Sequence, residues 1–192
     1  MNLTTEQIKK LTEKYPFLIP YNVWTGKVDS SYDYSYIARL GEIPEGWHRL
    51  FLLYCKKLYP YLKETNMIEK YMFSQIKEKY GTLRIYDFGY PVKADHLSTL
   101  FECFSRYVCP YCGKYPTTHE TTGWITFLCD SCAKNSNIKT VKLPKPSKIC
   151  KIETYEDHAY VNLQFTYKHI KREYDIIYNM SDEEFFNYLI AD

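Results

Sequence analysis

At 192 residues the chain can form one domain with an ample core, or one domain with a small appendage. A net charge of +2 creates no overall field that commits it to nucleic acid, and 45% hydrophobic with 25% charged residues is an ordinary globular composition. No apolar run approaches the ~18 residues of a membrane span, and residues 1–11 are polar and charged, so the expectation is a cytoplasmic protein without a targeting segment.

Thr4 with Gln7 three positions later is a capping-box pattern, and Ile8, Leu11 and Tyr15 follow on one helical face that ends before Pro16. Between Pro16 and Gly41 the chain turns loop-like and carries the run Tyr32-Asp33-Tyr34-Ser35-Tyr36. Tyr32, Tyr34 and Tyr36 either offer flat rings to a protein partner or pack as a loop over the core. The total of 21 tyrosines fits an AT-rich coding bias as well as an aromatic contact surface.

Pro44 opens the longest predicted helix, with Glu42 and Glu45 at its positive end. Trp47, Leu50, Phe51, Tyr54, Leu58, Tyr61 and Leu62 recur at intervals of three and four, which predicts one wide apolar stripe. Residues 71–90 read as a hairpin: Leu83 and Ile85 alternate with Arg84 and Tyr86, and Gly81 marks the turn. Lys77, Lys79 and Arg84 then lie on its exposed face, either as a solvated surface or as a nucleic-acid platform. Leu97, Leu100, Phe101 and Phe104 return to helical spacing over 95–107 and lead into Cys109.

Cys109-Pro-Tyr-Cys112-Gly113 and Cys129-Asp-Ser-Cys132 form two Cys-x-x-Cys pairs separated by residues 113–128. Four soft thiolates at that spacing can close a tetrahedral shell around Zn²⁺, so Cys109, Cys112, Cys129 and Cys132 are the candidate ligands of one structural zinc in a ribbon spanning 107–134. Two disulfides or four packed thiols are the competing readings. Disulfides need an oxidising compartment, and seven cysteines leave one unpaired. Residues 124–128 should run as an apolar strand into the second pair, and Lys114 and Lys134 flank the thiolates. Without metal the ribbon is expected to unfold, with the helix around Trp47 at least partly retained.

Lysines at regular spacing, with Pro144 and Pro146 between them, make 134–148 a semi-extended linker. Its Lys139, Lys142, Lys145 and Lys148 are also candidates for tracking a phosphate backbone. Strands are predicted near 149–154 and 160–167, and Ser181 with Glu184 caps a last helix carrying Phe185, Phe186, Tyr188 and Leu189. The expected fold is therefore α+β. A helix, hairpin, helix and four-cysteine zinc ribbon fill 1–133, and a strand-and-helix extension at 149–192 docks on that core.

Gly46-Trp47 at a helix start, the segment Gln75 to Tyr86, and Cys109, Cys112, Gly113, Gly123-Trp124 and Leu128-Cys129-Asp130 occur in a characteristic order. In this the chain resembles small zinc-ribbon proteins encoded by phages and prophages, over about 44–133. Members often carry His at the last ligand position, where this chain has Cys132, a substitution zinc accepts. The resemblance implies a phage-type origin and a helix, hairpin, helix and ribbon core, and brings no known reaction.

Enzyme readings find little purchase. Nucleases of the HNH type need catalytic histidines in a ββα motif, and residues 113–128 offer only His119-Glu120. Zinc deaminases need an open metal position and a Pro-Cys-x-x-Cys, whereas Pro110 lies inside the first pair. Cys103 and Cys150 have no nucleophile motif around them. Two classes follow. One is a non-catalytic binder of a host protein or protein–nucleic acid complex, an accessory inhibitor that resembles an anti-CRISPR. The other is a direct nucleic-acid binder using Lys77, Lys79, Arg84 and the linker lysines.

Overall fold

A computed structural model describes residues 1–22, 24–89, 94–114, 119–121, 125–136, 140–142, 149–156 and 159–191, with backbone alone at 95, 119–121, 140–142, 149–156, 159–171 and 173. The architecture is α+β, with helices packed around one core and small antiparallel sheets. Helix α1 (Thr5–Lys14) starts at the Thr4–Gln7 capping box and stops at Tyr15, before Pro16. Its Ile8 and Leu11 enter the core.

Helix α2 (His48–Glu64) is the central element, preceded by a single 3₁₀ turn over Glu45–Trp47. A one-sided stripe was the expectation, but Leu50 through Cys55 are all buried. The reason is enclosure: α2 packs against α3 (Asp95–Ser105), α5 (Tyr167–Tyr178) and α6 (Asp182–Ile190). Leu52, Leu53 and Cys55 therefore face protein on flanks that an amphipathic surface helix would leave to water.

The hairpin pairs β1 (Met72–Lys79) with β2 (Thr82–Phe88). Tyr80 and Gly81 both have positive φ, 52° and 73°, as a two-residue type I′ loop requires. Phe73, Ile76 and Leu83 turn into the core beside Phe51, Phe101 and Phe104. The outer edges of the pair are tied to side chains: Leu83 N donates to Ser105 Oγ at 2.9 Å, and Ile76 N to Glu42 Oε2 at 3.4 Å. On the inner side, Asp87 accepts from Tyr71 OH at 2.5 Å and from Tyr54 OH at 3.2 Å. The carboxylate thus satisfies two phenols whose burial pushes their pKa values well up.

Beyond α3 lie β3 (His119–Thr121), β4 (Phe127–Leu128), α4 (Asp130–Asn135) and β5 (Thr140–Lys142), with β3 central in a three-stranded sheet. The strand expected over 124–128 is thus the two-residue β4, and residues 122–124 lie outside the described ones. The predicted linker also needs correction. Lys134 belongs to α4, and 140–142 is a strand, because β5 pairs with the open edge of β3 in register Glu120 to Val141.

Strands β6 (Ile149–Glu156) and β7 (Ala159–Thr166) form a second hairpin, and β7 runs directly into α5. Helix α6 begins at the Ser181–Glu184 capping box. Ile177, Phe185, Phe186 and Leu189 lie in the same core as Trp47 and Leu11. Arg49 of α2 holds the two helices in place. Its guanidinium donates to the carbonyls of Ile177 and Met180 and pairs with Asp182 at 2.5 Å, while lying 5.0 Å from the Phe185 ring centroid. The last carbonyls of α6 and that of Ala191 beyond it accept from Tyr15 OH, Lys14 Nζ and Lys56 Nζ. Among the described residues no helix is long and apolar enough to cross a membrane.

Candidate metal centre

The first cysteine pair sits in a tight turn. Gly113 N donates to Cys109 O at 2.8 Å and Cys109 N to Lys114 O at 3.1 Å, with Gly113 at φ 70°. A glycine is needed there twice over, because a Cβ would also lie 2.6 Å from the Tyr178 ring. The second pair is built differently from the knuckle that a ribbon implies. Cys129 is the N-cap of α4, its Sγ accepting from Cys132 N at 3.5 Å, so Cys132 projects from the first helical turn. The centre is a knuckle followed by short strands and a helix start.

The four sulfurs lie within 4.8 Å of one another. Cys112 Sγ is 3.5 Å from both Cys129 Sγ and Cys132 Sγ. Those separations are too long for disulfides at ~2.05 Å, and all four cysteines are free thiols. They are close to the ~3.8 Å edge of a tetrahedron with metal–sulfur bonds of about 2.3 Å. The cluster can therefore hold a metal ion. Burial and the neighbouring Cys112 and Cys129 sulfurs push the Cys132 thiol up, and burial likewise raises Cys112. Burial acts in the same sense on Cys129, but hydrogen bonds from Ser131, the Cys132 amide and the Cys112 and Cys132 side chains together outweigh it and bring that thiol to about 6. Crowded sulfurs of this kind share a proton economy that a dication would relieve.

The rest of the fold grips the knuckle. Gly46 N donates to Pro110 O at 2.8 Å, and Trp47 Nε1 to Val108 O at 3.0 Å. Helix α5 supplies a stacked pair, Tyr174 and Tyr178, with ring centroids 4.7 Å apart. Tyr174 OH donates to Gly113 O at 3.1 Å and Tyr178 OH to Gly46 O at 2.7 Å. Gly46-Trp47 thus serves as the seat of the metal knuckle as well as a helix start. A Cβ on Gly46 would lie 2.2 Å from Cys109 O and 2.6 Å from Pro110 O, both backbone atoms. We expect Gly46→Ala to cost about 3 kcal/mol and to weaken metal retention, read by chemical denaturation and by competition with a chelator. A variant that matches the parent in both would remove this contact from the centre.

Among the described residues, the other candidates do not gather at the cluster. Arg84 is engaged by Glu102 at 2.5 Å, because α3 packs against β2, and this removes it from the free cations of the hairpin. Lys77 Nζ and Lys79 Nζ lie 5.1 Å and 5.5 Å from the ring centroids of Tyr86 and Tyr80. Lys142 is described by its backbone, opposite His119, and Lys139, Lys145 and Lys148 lie outside the described residues. Tyr32 packs on Tyr34 and Tyr36, with centroids 5.0 and 5.5 Å apart, and Tyr34 also leans on the core. Of the three, only Tyr36 is exposed. Compared with protein-family models, with curated proteins and with solved structures, the chain matches none. Sequence reasoning missed Tyr174, Tyr178 and Arg49. The 174/177/178 spacing was the available signal for the tyrosines, and nothing local marks Arg49.

Proposed function

We propose that the protein is a non-catalytic binding protein organised by one structural Zn²⁺, and an accessory protein of the phage type that engages a host protein–nucleic acid complex in the reducing cytoplasm. The observation that carries this is the closure of the centre. Four cysteine sulfurs lie within 4.8 Å of one another and would complete a tetrahedral shell around one ion, and Gly46, Trp47, Tyr174 and Tyr178 fix the knuckle from outside. A shell of that kind leaves no position for water or substrate, so the metal holds structure. Zinc is favoured because thiolates are soft donors and four of them at this spacing suit a tetrahedral ion.

The resemblance to phage zinc-ribbon proteins supports the biological context in a specific way. Gly46, Trp47, Cys109 and Gly113 all contribute to the joint between α2 and the knuckle, so the shared residues account for a scaffold. A scaffold without a reaction is what an anti-CRISPR-like inhibitor requires. Cobalt substitution tests the closed shell. The Co²⁺ protein should bind one ion per chain, show the thiolate charge-transfer bands of a tetrahedral sulfur site, and keep them unchanged on addition of azide or cyanide. Bands that shift with the added anion would reveal an open coordination position and overturn the non-catalytic reading.

A further inference from the structure

Resting on the binding-protein reading, we propose that the outer face of the β1–β2 hairpin is a platform for single-stranded nucleic acid. The register places Gln75 and Lys77 opposite Tyr86 and Arg84, so these side chains share one face, and Ile76 and Leu83 occupy the buried one. Lys79 lies on the same outer face, which closes at the turn end over the fully buried Thr82. Phe88 continues the outer face two residues beyond Tyr86. Tyr80 is 64% exposed, Phe88 55% and Tyr86 41%, which puts three flat rings in water along one short hairpin. Successive outward positions on a strand are about 7 Å apart, so Tyr86 and Phe88 form a stepped pair of stacking surfaces. Sheet faces with rings so placed stack the bases of unpaired strands, and a duplex offers no free base faces to them.

The charges fit the same ligand. Lys77 and Lys79 lie over the rings of Tyr86 and Tyr80, and a base taking a ring face would displace each flexible ammonium toward the backbone phosphate. The acidic groups of the hairpin are turned elsewhere. Glu78 accepts from Gly81 N, Asp87 points inward to Tyr54 and Tyr71, and Glu102 of α3 is paired with Arg84. Two further observations weigh against a protein partner on this face. Lysine is depleted in protein interfaces. The edge amides of Ile76 and Leu83 already have acceptors, which hinders the addition of a partner strand.

The test is fluorescence anisotropy with a labelled short oligo(dT), oligo(U) and a duplex of matched length, using the full-length metal-loaded protein. We expect the single strands to bind more tightly than the duplex. Tyr86→Ala and Phe88→Ala should each lower affinity by about 5- to 150-fold, with Tyr86→Phe retaining it. Lys77→Ala with Lys79→Ala should reduce the log–log salt slope by about 1.4. All of these positions are at the surface, so melting temperatures should stay close to the parent. Preference for the duplex, or ring variants that bind as the parent does, would overturn the platform. So would the absence of oligonucleotide binding at low salt by protein that holds its metal and melts cooperatively. That last result, even if Tyr86→Ala also abolished capture of a protein, would leave the non-catalytic binding reading intact, since only the cobalt experiment bears on the closed shell.

Discussion

Stripping the metal with a strong chelator, or replacing Cys109 by serine, is expected to unfold the α2 core together with the four-cysteine centre in one transition. From the sequence, the metal region should melt alone and the Trp47 helix should survive in part. The structure argues otherwise because the knuckle and the core share bonds. Trp47, fully buried, gives its indole N–H to Val108 O, and the Gly46 backbone is bonded to Pro110 on one side and Tyr178 on the other. Once the knuckle opens, the indole loses its buried acceptor, at about 1–3 kcal/mol, and Tyr174 loses Gly113 O. Binding of structural zinc contributes about 10–16 kcal/mol, as large as the ~5–15 kcal/mol that separates a folded domain from its unfolded ensemble. Near-UV circular dichroism and tryptophan fluorescence should therefore collapse along with helix content. A metal-free protein that keeps a cooperative melt by both probes would detach the core from the centre.

Local grammar made much of this fold legible. Both capping boxes, Thr4–Gln7 and Ser181–Glu184, form as their spacing indicates, since each depends on contacts within four residues. The hairpin turn at Tyr80-Gly81 and the gathering of Cys109, Cys112, Cys129 and Cys132 were equally visible. Features that depend on packing were not. Helix α5 follows β7 directly, from Thr166 to Tyr167, with no glycine or proline at the junction and no capping box, so the change of period from two to 3.6 is marked only by a threonine that fits a strand equally well. The enclosure of α2 on several sides, and the capture of Arg84 by Glu102, follow from where distant helices dock. Cys129 as a helix N-cap was hidden for another reason: Cys-x-x-Cys spacing is the same in a knuckle and across the first turn of a helix.

A chain ending at Asn135 is expected to aggregate, or to lack a cooperative melt, even with metal present. It would retain all four cysteines, α1, α2 and the first hairpin, which on sequence grounds looks like a complete unit. The truncation, however, removes Ile177, Phe185, Phe186 and Leu189, whose side chains are 0–6% exposed in the shared core. At ~1.5–3 kcal/mol for each buried apolar side chain, their loss costs about 6–12 kcal/mol, comparable with the stability of an entire domain. Polar consequences add to this. The Arg49 side chain, only 14% exposed, would lose the carbonyls of Ile177 and Met180 and the carboxylate of Asp182. Tyr15 OH, on a residue that is 1% exposed, would lose Leu189 O, and the knuckle would lose both tyrosines of α5. Size-exclusion chromatography and thermal denaturation of the truncated and full chains, each metal-loaded, make the comparison. A soluble 1–135 fragment that binds one metal ion and melts cooperatively would make 149–192 a separate module, and the packing of α5 and α6 incidental to the fold of the metal centre.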